Sequence, residues 1–484
     1  MVINRSVVCL FLVSIGFSAA LSHSWKFLEY LHREPPAPVA KSSLRVVAEG
    51  WVEQQVDHYD DNNNETYQMR YLGNDEFYKP GGPIFIYVGG EWTISPKWVL
   101  GGHMYDMAKE LNGYLFYTEH RYYGQSHPTP DLSFANLQYL HVKQALEDLA
   151  HFIRTKKQEI HGAENSGVIL VGASYAGTMV TWFRQMYPEL INGAWSSSAP
   201  LLAKTEFVEY LEVVGESIRT VGGDECYNTI HEDITELESM IEANDFAGVS
   251  EKMNLCTTLP NNKLDIWIFF NSLSQILAWV VQYHEPGEIE SHCKVITSRG
   301  WAEYVKQSFG ECWTPNYEEF VEQFSQTSWE SEAAFGTRQW FFQTCNEFGW
   351  YQTSGSPNQP FGSSFPIEFF YQRCTDIYDE SFYKESINYN VYITNLAHNG
   401  MNPIITNVYS THGELDPWRP MGVQEDVNSF APAFVIPGAS HCADLYSISD
   451  EDSSEMLASK HRTTTLVRRW LWCNNTRRNG APLI

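Results

Sequence analysis

The ten residues Val168–Gly177, reading Val-Ile-Leu-Val-Gly-Ala-Ser-Tyr-Ala-Gly, constrain the fold more than any other stretch of the chain. An aliphatic, β-branched run predicts a buried strand, small residues then flank a serine, and Thr178–Met186 is compatible with a helix. A strand turning sharply into a helix would hold Ser174 at the turn with its hydroxyl exposed. Strand and helix crowd there, so the residues two before and two after must be small, and Gly172 and Ala176 meet that demand. The backbone N–H of Tyr175 then points where a negative oxygen would develop if Ser174 attacked a carbonyl. Ser174 is the candidate nucleophile. Gly-x-Ser-x-small also occurs around ordinary serines, so the rest of the chain must supply the partners.

At 484 residues the chain is long enough for two or three domains' worth of core, or for one large α/β domain carrying an insertion. A formal net charge of −27 argues against nucleic acid or an anionic membrane as partner. Arg5, the apolar run Val7–Phe17 and the small residues Ser18-Ala19-Ala20 predict a signal peptide over residues 1–20. No later run of about twenty apolar residues stands out as a membrane span, so a soluble protein of the secretory pathway, secreted or lysosomal, is expected. Without Cys9 eight cysteines remain, an even number that predicts disulfides in an oxidising compartment. No Cys-x-x-Cys or His-x-x-x-His pair occurs, so no metal site is expected. Asn64 and Asn474 head glycosylation sequons. Whether the chain forms a homodimer is left open.

Residues 21–48, with Pro35, Pro36 and Pro38, read as a flexible lead-in. Strands are expected over Trp51–Val56, Thr66–Leu72, Ile84–Val88, Gly113–Glu119 and Ala194–Ala199, and amphipathic helices over Leu137–Ile160 and Ser454–Leu471. Two more strands are expected over Ile404–Ser410 and Ala433–Pro437. This alternation predicts an α/β protein with a parallel sheet, its core divided between residues 49–202 and 401–484. Residues 203–400 break the alternation. They are helical in pattern, acidic and aromatic, and hold six of the eight remaining cysteines, which predicts an inserted, disulfide-containing cap over the strand ends where ligands bind. Gly89-Gly90-Glu91-Trp92 follows the strand Ile84–Val88, where the amide of Gly90 would supply a second oxyanion donor; an ordinary glycine turn is the alternative.

On such a sheet the serine is followed along the chain by an acid and then a histidine, each on a loop after a strand. Two loops qualify, Thr411–Trp418 and Gly438–Asp444. His441 is preferred to His412 as the base because it lies on the last loop behind small residues. Asp416, held extended by Pro417, is preferred to Glu414 as the acid. Asp444 is read as a solvated or helix-capping residue. His441 would take the proton of Ser174, Asp416 would hold the imidazole tautomer, and the Tyr175 amide would bind the oxyanion, with no metal or cofactor.

The stretches Glu119–Ser126, Gly172–Gly177, Gly413–Trp418 and Ala439-Ser440-His441 resemble the serine peptidases related to lysosomal Pro-X carboxypeptidase and dipeptidyl peptidase II. Gln339–Gly349 and Ser440-His441-Cys442 look closest to the thymus-specific serine protease branch. The resemblance spans nearly all of the mature chain. It implies an α/β-hydrolase core with a helical cap, Ser174, Asp416 and His441 at the catalytic positions, and short peptide substrates often cut after proline. The family usually has glycine where this chain has Ala173 and Ala176, and alanine is still small enough for the turn. A carboxypeptidase needs a cation for the substrate carboxylate and a dipeptidyl peptidase needs a carboxylate for the free amine. Glu91, Arg121 and Glu347 are candidates for those contacts, although each also reads as half of a structural ion pair. Trp418 either walls a proline-sized pocket or belongs to the core. With six cysteines pairing inside the cap, Cys442 and Cys473 would bridge the histidine loop to the last helix. The competing readings are an esterase or lipase of the same fold, disfavoured by a cap without an obvious apolar lid helix, and a hydrolase-like binding protein.

Overall fold

A computed structural model describes residues 34–478, with side chains through Trp472. The expected signal peptide, the first part of the lead-in, and the side chains of Cys473 and Asn474 lie outside the described residues. Asn64 is exposed in the turn between the first two strands.

Eight strands form one sheet: β1 (Val47–Gln55), β2 (Thr66–Asn74), β3 (Ile84–Val88), β4 (Tyr114–Thr118), β5 (Val168–Ala173), β6 (Gly193–Ser197), β9 (Val408–Gly413) and β10 (Ala433–Ile436). Their order is β1-β2-β4-β3-β5-β6-β9-β10. The two pairings made by β2 are antiparallel and every other pairing is parallel. A parallel sheet must be covered on both faces, and the period-2 alternation of side chains does this here. Ile84, Ile86, Val168 and Leu170 enter one apolar cluster, whereas Phe85, Tyr87, Ile169 and Val171 enter another with Leu466, Val467 and Trp470 of the C-terminal helix Ser454–Arg478. The first cluster continues without a break into the cap, through Ile268, Phe341 and Phe369.

Between β6 and β9 the chain is mainly helical, with two short parallel strands, β7 (Lys204–Glu206) and β8 (Gly349–Tyr351), laid side by side. Its six cysteines pair among themselves as expected: Cys226–Cys293, Cys256–Cys312 and Cys345–Cys374. Cys442, in contrast, is a buried free thiol. The expected Cys442–Cys473 bridge is corrected accordingly. Cys442 adopts a left-handed backbone (φ 60°), and its Sγ lies 3.9 Å from the carbonyl of Ser197 at the end of β6.

Three other expectations are revised. The described part of the lead-in is packed, not loose: Pro36 O accepts the Tyr446 hydroxyl at 2.6 Å, Lys41 N–H donates to Leu100 O, and Lys41 pairs with Asp106 at 2.7 Å. The strand expected at Ile404 begins only at Val408, because Asn407 takes a left-handed turn (φ 57°). That shift draws His412 out of the loop and into β9. The cap also contains an apolar helix, Lys263–Tyr283, long enough to cross a bilayer but mostly buried inside the protein. The absence of such a helix therefore no longer counts against an esterase.

Candidate active site

β5 is the central strand, and the chain leaves it at Ser174 with φ 55° and ψ −128° before entering the helix Tyr175–Met186. Positive φ at a non-glycine residue costs of order 1–3 kcal/mol and persists only where surroundings enforce it. Here the Ser174 N–H donates to Ser197 O at 2.9 Å, and Ser174 O accepts the Thr178 N–H at 3.1 Å. A Cβ on Gly172 would meet Ala176 O at 2.2 Å, and one on Gly177 would meet Ser197 O at 2.9 Å. The glycines therefore permit the close approach of strand and helix. As the first helical residue, Tyr175 has an amide with no intrahelical acceptor. Gly90 lies two residues beyond β3, and a Cβ there would meet the Trp92 ring at 2.7 Å. That packing accounts for the glycine whatever its amide does.

Asp416 follows β9 and His441 follows β10, and these two loops are pressed together. A Cβ on Gly413 would meet Ala439 O at 2.2 Å, while Leu415 N–H donates to Ala439 O at 3.0 Å. His441 Nδ1 lies 2.8 Å from Asp416 Oδ1, which also accepts the Trp418 N–H at 2.9 Å. Both side chains are fully buried. Burial works to raise the Asp416 value and lower that of His441, but their mutual attraction outweighs it. Asp416 is held well below the usual carboxylate range and His441 well above the usual imidazole range, with Cys442 adding to the latter. The other ring nitrogen of His441, Nε2, is buried without a hydrogen-bond partner, so it makes none with Ser174.

Ser174 opens on a cleft between sheet and cap. Glu91, Tyr283, Trp340, Trp350, Trp418 and Arg373 are in its wall. The Tyr283 ring also packs edge-on against His441, with centroids 5.5 Å apart. Glu91, expected as half of an ion pair, instead has Oε2 buried and without a partner. Burial pushes its carboxyl up to about 7, against its own backbone N–H and the nearby His441.

The remaining candidates have structural partners. Arg121 forms a buried two-pronged pair with Asp148 at 2.6 and 2.8 Å. Glu347 pairs with His141 at 2.9 Å and accepts the N–H of Val142 at the start of the helix Val142–Glu159. Glu414 is exposed and accepts the Gly438 N–H at 2.9 Å. His412 Nδ1 stands 3.9 Å from Asp416 Oδ2, too far for a hydrogen bond, with its ring under Gly422. Asp444 is neither solvated nor a cap: it is buried, accepting from Ser197 Oγ at 2.5 Å and from Trp195 Nε1 at 3.2 Å.

Sequence reasoning missed Gln282, Tyr283 and Arg373, all from the cap. Gln282 O accepts the His441 N–H at 2.9 Å, and its Oε1 accepts from Trp418 Nε1 at 3.1 Å and Tyr210 OH at 2.8 Å. No local pattern marks the last turn of an apolar helix as part of a site. Arg373 had one weak signal, its place beside a cysteine in an acidic segment.

The strand order and the serine at a strand-to-helix turn after β5 define an α/β hydrolase. Residues 54–463 match the serine carboxypeptidase S28 family; the chain belongs to that family and is a serine-type peptidase. Mouse (Mus musculus) thymus-specific serine protease is 29% identical over 476 residues, covering 93% of this chain and 92% of that one. Bovine (Bos taurus) lysosomal Pro-X carboxypeptidase is 28% identical over 485 residues, covering 91% and 90%. Among solved structures, proline iminopeptidase of Mycobacterium smegmatis covers 88% of this chain and 100% of that one at 11% identity, with a TM-score of 0.37. These sequence relatives agree with the resemblance carried by the motifs.

Proposed function

We propose that the chain is an exopeptidase of short peptides that works through Ser174, His441 and Asp416 and favours cleavage after proline. The observation that carries this reading is the buried His441 ring. It is bonded through Nδ1 to Asp416, its Nε2 has no partner, and the ring packs against Tyr283, a residue in the wall of the Ser174 cavity.

With Nδ1–H held by Asp416, Nε2 is the nitrogen that exchanges a proton with the reacting atoms, and it acts as the base once the ring, whose cation Asp416 favours, has given up its Nε2 proton. It removes the proton from Ser174 Oγ as Oγ attacks the scissile carbonyl carbon, and the hydrogen bond absent from the resting site forms in the substrate complex. The amides of Tyr175 and Gly90 receive the oxyanion. His441 then gives its proton to the departing amine nitrogen and the carbon–nitrogen bond breaks. Water, deprotonated by the same ring, releases the acyl group and restores Ser174.

The indole rings of Trp340, Trp350 and Trp418 offer flat apolar walls suited to a proline ring, and the relative named Pro-X carboxypeptidase supports the same preference. Three disulfides point to the secretory pathway, and a lysosomal relative supports an endolysosomal or secreted location. Fluorophosphonate labelling that disappears in Ser174→Ala, with release of residues from proline-containing peptides, is the expected result. Activity on acyl esters alone would replace the peptidase reading with an esterase.

A further inference from the structure

Arg373 lies on the cap helix Ile367–Ile377, one residue before Cys374, whose disulfide to Cys345 ties that helix to the turn Thr344–Phe348. The side chain is only 8% exposed, and it lines the same cavity as Ser174. Its guanidinium carbon stands 4.1 Å from the centre of the Phe341 ring, 5.0 Å from Phe370 and 5.7 Å from Tyr351. Nε is buried with no partner, and no hydrogen bond or ion pair joins the group to any described residue. Burial works against its charge, and only tyrosines act in its favour.

A buried cation without an anion is costly, and three ring faces offset only part of that cost. The other Arg residues buried to a similar degree do not share this condition. Arg121 has Asp148, and Arg338 donates to the carbonyls of Leu132 and Phe324. A guanidinium edge left free in a cavity matches a carboxylate with two parallel N–H···O bonds. Glu91, the acid in the same wall, makes no ion pair with it and has its own unpartnered oxygen.

We propose that Arg373 anchors a carboxylate of the peptide substrate, so that the cap recognises an anionic group while the core cuts the chain. The inference rests on the Ser174 cavity being the substrate site. The anion is either the C-terminal carboxylate or an acidic side chain, and the two are separable by peptide chemistry.

The test uses the full chain carrying Ser174→Ala, with calorimetric binding of Ala-Pro-Phe, its C-terminal amide, and the amide Ala-Pro-Glu-NH2. At least one carboxylate-bearing peptide is expected to bind roughly tenfold or more tighter than Ala-Pro-Phe-NH2, as a charge-assisted bond implies. The free acid winning alone identifies the chain terminus, the Glu amide winning alone identifies a side chain, and both winning identifies an anchor that takes either carboxylate. Adding Arg373→Gln should bring all three peptides to one affinity, and adding Arg373→Lys should restore part of the preference. Equal binding of the three peptides to the Ser174→Ala chain overturns the proposal, even if Arg373→Gln fails to fold. So does a preference that survives in folded Arg373→Gln. Loss of the peptidase reading would show separately, as wild-type protein that binds peptides but takes no fluorophosphonate label.

Discussion

The backbone carbonyl of Gln282, in the last turn of the cap's apolar helix, accepts the backbone N–H of His441 at 2.9 Å. Through one side chain the same residue also holds Trp418 and Tyr210. Cap and histidine loop are therefore one mechanical unit. Gln282→Leu should leave the Trp418 indole N–H and Tyr210 hydroxyl buried without partners, at a cost of about 1–3 kcal/mol for each group left unsatisfied. Because the backbone N–H of Trp418 bonds Asp416, a displaced Trp418 should lower kcat together with Tm, whereas Gln282→Glu, which retains an acceptor, should lose less of both.

Asp416→Asn keeps the shape of the acid loop but removes the charge that fixes the His441 tautomer. Its kcat should fall by roughly 10⁴-fold with KM little changed. Steady-state kinetics on a proline peptide check this, and a loss below about tenfold would transfer the role to another acid.

The buried carboxyl of Glu91 makes stability depend on pH in an unusual direction. Its folded value, about 7, is above the ordinary 4.5, so the native state favours the protonated form. Native stability is unaffected below about pH 4.5, declines as pH rises toward 7, and stays reduced above it. Over that interval the loss is on the order of 3 kcal/mol. Glu91→Gln should therefore raise Tm at pH 8 and leave it nearly unchanged at pH 4.5. Thermal melts at the two pH values decide the matter; an equal shift at both would place the effect in packing.

The turn at Ser174 tolerates change on one side only. Gly172→Ala would drive a methyl into the carbonyl of Ala176 and should abolish fluorophosphonate labelling of the purified protein. Ala176→Gly adds no atoms, costs about 1 kcal/mol as a helical glycine, and should keep the label.

Much of this arrangement was legible because its parts are local. Val168–Gly177 announced strand, turn and helix, and the stretches Gly413–Trp418 and Ala439–His441 placed the loops that Gly413 brings together. Asp416 could be preferred to Glu414 from its neighbour Pro417, and the structure gives Glu414 a different partner. What stayed hidden depends on distant segments. That His412 lies within β9 and not in the loop follows from the left-handed turn at Asn407, which moves the strand along the chain. Asp444 is buried because Trp195 and Ser197, about 250 positions earlier, need an acceptor. Gln282, Tyr283 and Arg373 reach the cavity only once the cap has folded over the sheet, and periodicity within a helix carries no record of that.

The thiol of Cys442, next to the ring of His441 and closed off from solvent, gives the protein a reporter of its own. A thiol reagent can reach that sulfur only when the histidine loop swings away from β6. In a Cys473→Ser background, the rate of modification at residue 442 would time how often the loop opens, and its slowing under a bound inhibitor would measure how firmly an occupied cleft is shut.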